Sequence, residues 1–138
     1  MDHGKRLLLT YFTERFAYRT SSFCIPGVVL RVCREAGTRD EEMDEFGLAH
    51  FVEHMIFKGT EKRKSWHILN RMENVGGELN AYTTKEETFV YSIFMEEHFR
   101  RAFELLSDLV FHSQFPEQEI EKEQRIVNSM KSALENHE

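Results

Sequence analysis

The sequence predicts an α+β fold, a mostly antiparallel sheet covered by helices. Two extended segments, Leu79 to Thr83 and Thr88 to Met95, are rich in β-branched and aromatic residues and are separated only by the polar turn Thr84-Lys85-Glu86-Glu87, so they form a hairpin. Apolar residues recur at helical spacing on both sides of that hairpin. The predicted order is strand, helix, helix, hairpin, helix, helix.

The first predicted strand is Val28 to Cys33, rich in β-branched residues after Pro26-Gly27. Residues 1 to about 27 carry no clear pattern. A charged loop, Arg39 to Glu45, then precedes a helix whose apolar face is Leu48, Phe51, Val52, Met55 and Ile56, and carboxylates there favour the positive end of the helix dipole. Ser65 is expected to cap a second helix with Trp66, Leu69, Met72 and Val75 on one side, stopped by Gly76-Gly77 in a left-handed turn. In the second hairpin strand Phe89, Tyr91, Ile93 and Met95 share one face, expected to be sheet core. Phe99, Ala102, Phe103, Leu106, Leu109 and Val110 form the stripe of a third helix. Pro116 opens a fourth, with Ile120, Val127, Met130 and Leu134 tracing its buried face. Glu123 lies on that stripe, and a carboxylate among core positions needs a partner.

Composition bounds the function. With 138 residues, 41% hydrophobic and 30% charged, the chain is expected to make one domain, 1–138, with a sizeable core. A formal charge of −6 argues against nucleic acid as a partner. No apolar run approaches the roughly 20 residues that span a bilayer, and no membrane association is expected. Leu7-Leu8-Leu9 is cut short by Thr10, Glu14 and Arg15, too short for a secretory signal, so the expected compartment is the cytoplasm. Cys24 and Cys33 lack metal or redox spacing and are read as reduced packing residues.

The chemistry is concentrated in His50-Phe51-Val52-Glu53-His54. Positions four apart share a helix face, so His50 and His54 can present imidazole nitrogens to one zinc ion, with Glu53 beside them. Two imidazoles leave room for a third protein ligand and a water, whose proton the carboxylate can take. His67, like His3, His98, His112 and His137, has no second ligand at helical spacing and is read as a surface or boundary residue.

The order H-x-x-E-H is the inverzincin signature. Gly47 to Thr60 around it resembles the core motif of the pitrilysin, insulin-degrading enzyme and mitochondrial processing peptidase family of zinc metallopeptidases. Val75-Gly76-Gly77-Glu78-Leu79-Asn80-Ala81-Tyr82-Thr83-Thr84 resembles the family's following segment, and Ala36 to Glu41 also fits, so the resemblance runs from about Ala36 to about Val127. It implies a truncated N-terminal metallopeptidase domain in which His50 and His54 bind zinc and Glu53 is the general base. It also implies that a peptide or unfolded protein substrate adds to the sheet edge at Asn80 and Ala81. A second homologous domain or subunit is implied as partner, to complete an enclosing chamber.

The resemblance weakens where the third ligand belongs. The family carries two glutamates seven residues apart on its last helix here, the second being the metal ligand. Glu123 matches the first, leaving it a supporting role behind the ligands, and the second position falls on Met130, a poor zinc ligand. From Asn128 the tail departs from the family's acidic Asp-Glu-Ile or Glu-Glu-Ile text. Two functions are therefore predicted in order: a zinc endopeptidase or its catalytic N-terminal fragment, and an inactive peptide-binding or assembly subunit of the same fold.

Overall fold

The computed structural model describes residues 10–13, 16–22, 27–43 and 47–135, with the side chains of residues 10–22, 127 and 130–135 outside that description. The elements are β1 (Thr10–Thr13), β2 (Phe16–Ser22), β3 (Gly27–Arg34), α1 (Leu48–Met55), α2 (Ser65–Glu73), β4 (Glu78–Thr83), β5 (Thr88–Met95), α3 (Phe99–His112) and α4 (Glu117–Glu135). The strands form one sheet in the order β1-β2-β3-β5-β4, every neighbouring pair antiparallel. The α+β prediction and the hairpin hold. Two strands, β1 and β2, occupy the N-terminal segment in which the sequence showed no pattern, while Cys24, His3, His137 and the Leu7 to Leu9 run lie outside the described residues.

One face of the sheet carries the core. Leu30, Val32, Ala81, Val90 and Phe94 meet Ile68 and Met72 of α2 and Ala102, Leu105, Leu106 and Leu109 of α3. This corrects the expectation for β5, because Ile93 and Met95 are 40% and 44% exposed whereas Val90, Ser92 and Phe94 are buried. The strand is apolar on both faces, and Ser92 disguised the inward set. Its hydroxyl is satisfied by donating to the Glu78 carbonyl at 2.7 Å, so it costs the core little.

Similar corrections apply to the helices. On α2 the buried residues are Ile68 and Met72, and Trp66 and Leu69 are exposed. Ser65 is the first helical residue, Lys64 holds the cap position, and no side chain caps the helix there. Gly76 does end the segment with φ +72, a conformation that favours glycine. On α3, Phe99 and Phe103 lie at the rim, each 41% exposed, while Ala102, Leu105, Leu106 and Leu109 are fully buried. Cys33 is buried as expected, its thiol donating to Glu87 Oε1 at 3.3 Å.

The turn after α1 is pinned to α3 by a buried polar cluster. Thr60 Oγ1 donates to Asp108 Oδ2 at 2.8 Å, and Arg63 Nη1 binds the same oxygen. Arg63 Nη2 reaches both oxygens of Glu104, at 2.6 and 2.8 Å. Burial pulls the Arg63 pKa down, but the two carboxylates outweigh it and hold the guanidinium above its ordinary value. The end of α1 is thereby fixed against the main helix layer.

Candidate metal centre

Helix α1 has two chemically different sides. Leu48, Ala49, Val52 and Ile56 line a cleft of about 400 Å³ that reaches the sheet at Val32 and Val90, while His50, Glu53 and His54 are not among its lining. The imidazoles instead project from the other side of the helix, as positions 50 and 54 must when 48, 52 and 56 border the cleft. Their ring centroids are 4.9 Å apart, and the side chains are 63% and 43% exposed.

The start of this helix is held by a residue that sequence reasoning noted only as part of an acidic loop. Glu41 accepts from the Gly47 and Ala49 amides at 2.9 and 2.8 Å, satisfying N–H groups that helix geometry leaves open. These amide hydrogen bonds, that of Ala49 foremost, hold the Glu41 carboxyl below its ordinary value.

Glu123 of α4 arrives beside His54. Its Oε2 lies 3.4 Å from His54 Nδ1, and its Oε1 lies 2.6 Å from Lys58 Nζ. The carboxylate is 5% exposed, and Lys58 holds its pKa down against burial, with His54 adding to the effect. The partner that a carboxylate in an apolar stripe requires is therefore found twice. Sequence reasoning found the demand of Glu123 for a partner but not Lys58, which meets it only through the packing of α1 on α4.

An ionised carboxylate only accepts, so facing Glu123 favours the neutral tautomer of His54 that carries its hydrogen on Nδ1 and leaves the Nε2 lone pair for a metal. That tautomer suits a metal ligand. Glu53 is on the same helix with Oε2 buried and without a hydrogen-bond partner, apart from the 3.5 Å approach of His50 Nδ1. Two imidazoles are two of the three protein ligands a catalytic zinc takes, and the buried carboxylate oxygen of Glu53 is placed to accept a proton from a water beside them. The third ligand is not supplied by the described side chains: among them no cluster of three or more His, Cys, Asp and Glu is disposed to share an ion. Position 130 is in α4, and its side chain is outside the description.

The remaining predicted site residues lie on β4. Among the described strands it is an edge, paired only with β5. Asn80 is exposed and Ala81 is buried, and the Ala81 amide donates to Asn80 Oδ1 at 2.8 Å. Helix α1 packs on this strand.

Residues 25–138 match the family described as Insulinase (Peptidase family M16). The chain is 38% identical over 103 residues to the uncharacterized zinc protease YmxG of Bacillus subtilis, covering 75% of this chain and 25% of that protein. It is 42% identical over 93 residues to the human mitochondrial-processing peptidase subunit beta, covering 67% of this chain and 19% of that one. The chain thus spans about a quarter or less of the length of these relatives. In fold it is similar to a protease from Helicobacter pylori, with a TM-score of 0.81 at 21% identity over 91% of this chain and 31% of that one.

Proposed function

The chain belongs to the insulinase family, peptidase family M16, and on that premise we propose that it is the N-terminal metal-binding part of a zinc-dependent endopeptidase. One observation carries the reading: the His50 and His54 rings stand side by side on α1, with His54 Nδ1 engaged by the buried Glu123. The relatives named zinc proteases support the choice of metal.

His50 and His54 would hold zinc through Nε2. Zinc bound there polarises a peptide carbonyl and makes a water easier to deprotonate. Glu53 takes the proton of the attacking water on its buried Oε2, which makes no hydrogen bond beyond the 3.5 Å approach of His50, and returns it to the leaving nitrogen. Glu123 keeps the His54 hydrogen on Nδ1, and Lys58 keeps Glu123 ionised. The exposed edge of β4 at Asn80 and Ala81 offers main-chain groups to an extended peptide, provided that peptide displaces the Asn80 side chain from the Ala81 amide. Substrate is then a peptide or unfolded segment held beside the imidazole pair, and a homologous domain or subunit, as the name of the mitochondrial relative suggests, would close the site.

A second reading, an inactive peptide-binding or assembly subunit, is favoured by Met130 at the position where the family resemblance expects the third ligand. Zinc binding measured with zinc in the buffer, before any dialysis, and hydrolysis of an unstructured peptide separate the two. The first reading expects bound zinc, and cleavage that Glu53→Gln abolishes while zinc is retained. Peptide binding without zinc and without cleavage supports the second.

A further inference from the structure

A second cavity, of about 250 Å³, opens between α2 and the start of α3 and shares no lining residue with the cleft beside α1. Four of its lining residues, Lys62, Arg63, Arg71 and Arg101, are cationic, and none is acidic. This concentration runs against a chain whose formal charge is −6. The carboxylates behind the cavity do not cancel it. Glu104 and Asp108 engage Arg63, and Glu104 Oε2 also lies 3.3 Å from Arg71 Nη2. These two carboxylates reach two of the four cations, Arg63 and Arg71.

The arginines are held, not swinging. Arg63 is fixed by three hydrogen bonds to those carboxylates, and Arg101 Nη1 donates to the Arg71 carbonyl at 3.0 Å. Arg71 Nε is buried and has no hydrogen-bond partner, a donor that a native structure rarely leaves unused. Preorganised guanidinium groups are suited to phosphate, whose oxygens accept from their forked donors.

Beside the cations stands Trp66, 58% exposed, with its ring centroid 3.4 Å from that of His67. Asn70 and Asn74 follow along the same helix face, adding amide groups that donate and accept. An open indole beside fixed guanidinium groups fits a planar aromatic body that carries phosphate. We propose that this cavity binds a nucleoside phosphate, its phosphates on Lys62, Arg71 and Arg101 and its base against Trp66. None of these residues takes part in the peptidase reading above, so the two stand or fall separately.

Trp66 is the sole tryptophan of the chain, so its fluorescence reports on this cavity alone. The full chain is titrated at low salt with ADP, inorganic pyrophosphate and adenosine, and the titration is repeated on Lys62→Glu and Asn70→Asp. Both substitutions fall on exposed residues, and circular dichroism confirms their fold. Saturable quenching by ADP is expected, with competition by pyrophosphate, at least tenfold weaker binding of either fragment, and at least tenfold loss of ADP affinity in each variant. Unchanged fluorescence with ADP overturns the proposal, as does equal binding by the variants. Pyrophosphate binding as tightly as ADP overturns it in favour of a plain polyanion site.

Discussion

His54 Nδ1 and Glu123 Oε2 face each other at 3.4 Å across 69 residues of sequence, and the second oxygen of Glu123 is held by Lys58 at 2.6 Å. The contact joins α1 to α4 and sets which nitrogen of the imidazole carries its hydrogen. Replacing Lys58 by Met leaves a carboxylate that is 5% exposed without its strongest partner. An unsatisfied buried acceptor costs about 1–3 kcal/mol, and that loss is expected in urea unfolding of Lys58→Met, with Lys58→Arg retaining most of the stability. Zinc affinity should fall with it, since disturbing a group that orients a ligand weakens metal binding by about 10–100-fold.

Gly37 gives a prediction independent of metal. The loop after β3 lies on the hairpin turn, with the Thr38 and Arg39 amides donating to the Thr84 and Lys85 carbonyls at 3.1 and 2.8 Å. A Cβ at Gly37 would stand 2.5 Å from the Thr84 carbonyl oxygen and 2.6 Å from the Glu86 nitrogen, and backbone cannot rotate away as a side chain can. Gly37→Ala is therefore expected to cost about 1–3 kcal/mol, the range for overpacking. A denaturation midpoint equal to that of the parent would show that the loop gives way instead.

The cap on α1 should be sensitive to acid. Glu41 has a folded pKa below its ordinary value of 4.5 because the Ala49 and Gly47 amides favour its charged form. A depressed carboxylate contributes stability that is present above the unfolded pKa and is lost as pH falls through the folded value. Hydrogen exchange at Ala49, corrected for the intrinsic effect of pH, should lose protection below pH 4.5. Glu41→Gln should lower that protection at neutral pH and flatten its acid dependence. An equal acid loss in the variant would assign the effect to another group.

The sequence disclosed the chemistry better than the packing. His50, Glu53 and His54 needed only helical period to be placed together, because spacing within one helix is a local property. Glu123 was legible as a carboxylate that required a partner, but the identity of that partner was not, since Lys58 meets it only when α1 and α4 pack. The hairpin was legible from its turn and its β-branched runs. Its inward face was not, because Phe89, Tyr91, Ile93 and Met95 are as apolar as the set that is buried, and α2 and α3 choose between them. The same competition exposed Trp66 and Phe103 and buried Ile68 and Leu105. Strands β1 and β2 escaped notice for lack of alternation; β2 is defined by pairing with β3, and β1 by pairing with β2.

The third ligand is the sharpest test of the peptidase reading. Seven residues of helix turn almost two full circles and advance about 10 Å, so position 130 lies on the same side of α4 as Glu123 but two turns further on. Glu123 cannot stand in for it without abandoning His54 and Lys58, which it already holds. A chain with only two imidazoles should lose zinc on dialysis, because affinity depends on ligand count and on support behind the ligands. Met130→Glu supplies a carboxylate at that register, and it is expected to raise retained zinc from well below one equivalent to about one. Elemental analysis of parent and variant reads the difference directly. Stoichiometric zinc in the parent would mean that another residue completes the site, whereas no gain in the variant would remove position 130 from the metal centre and leave the assembly reading in front.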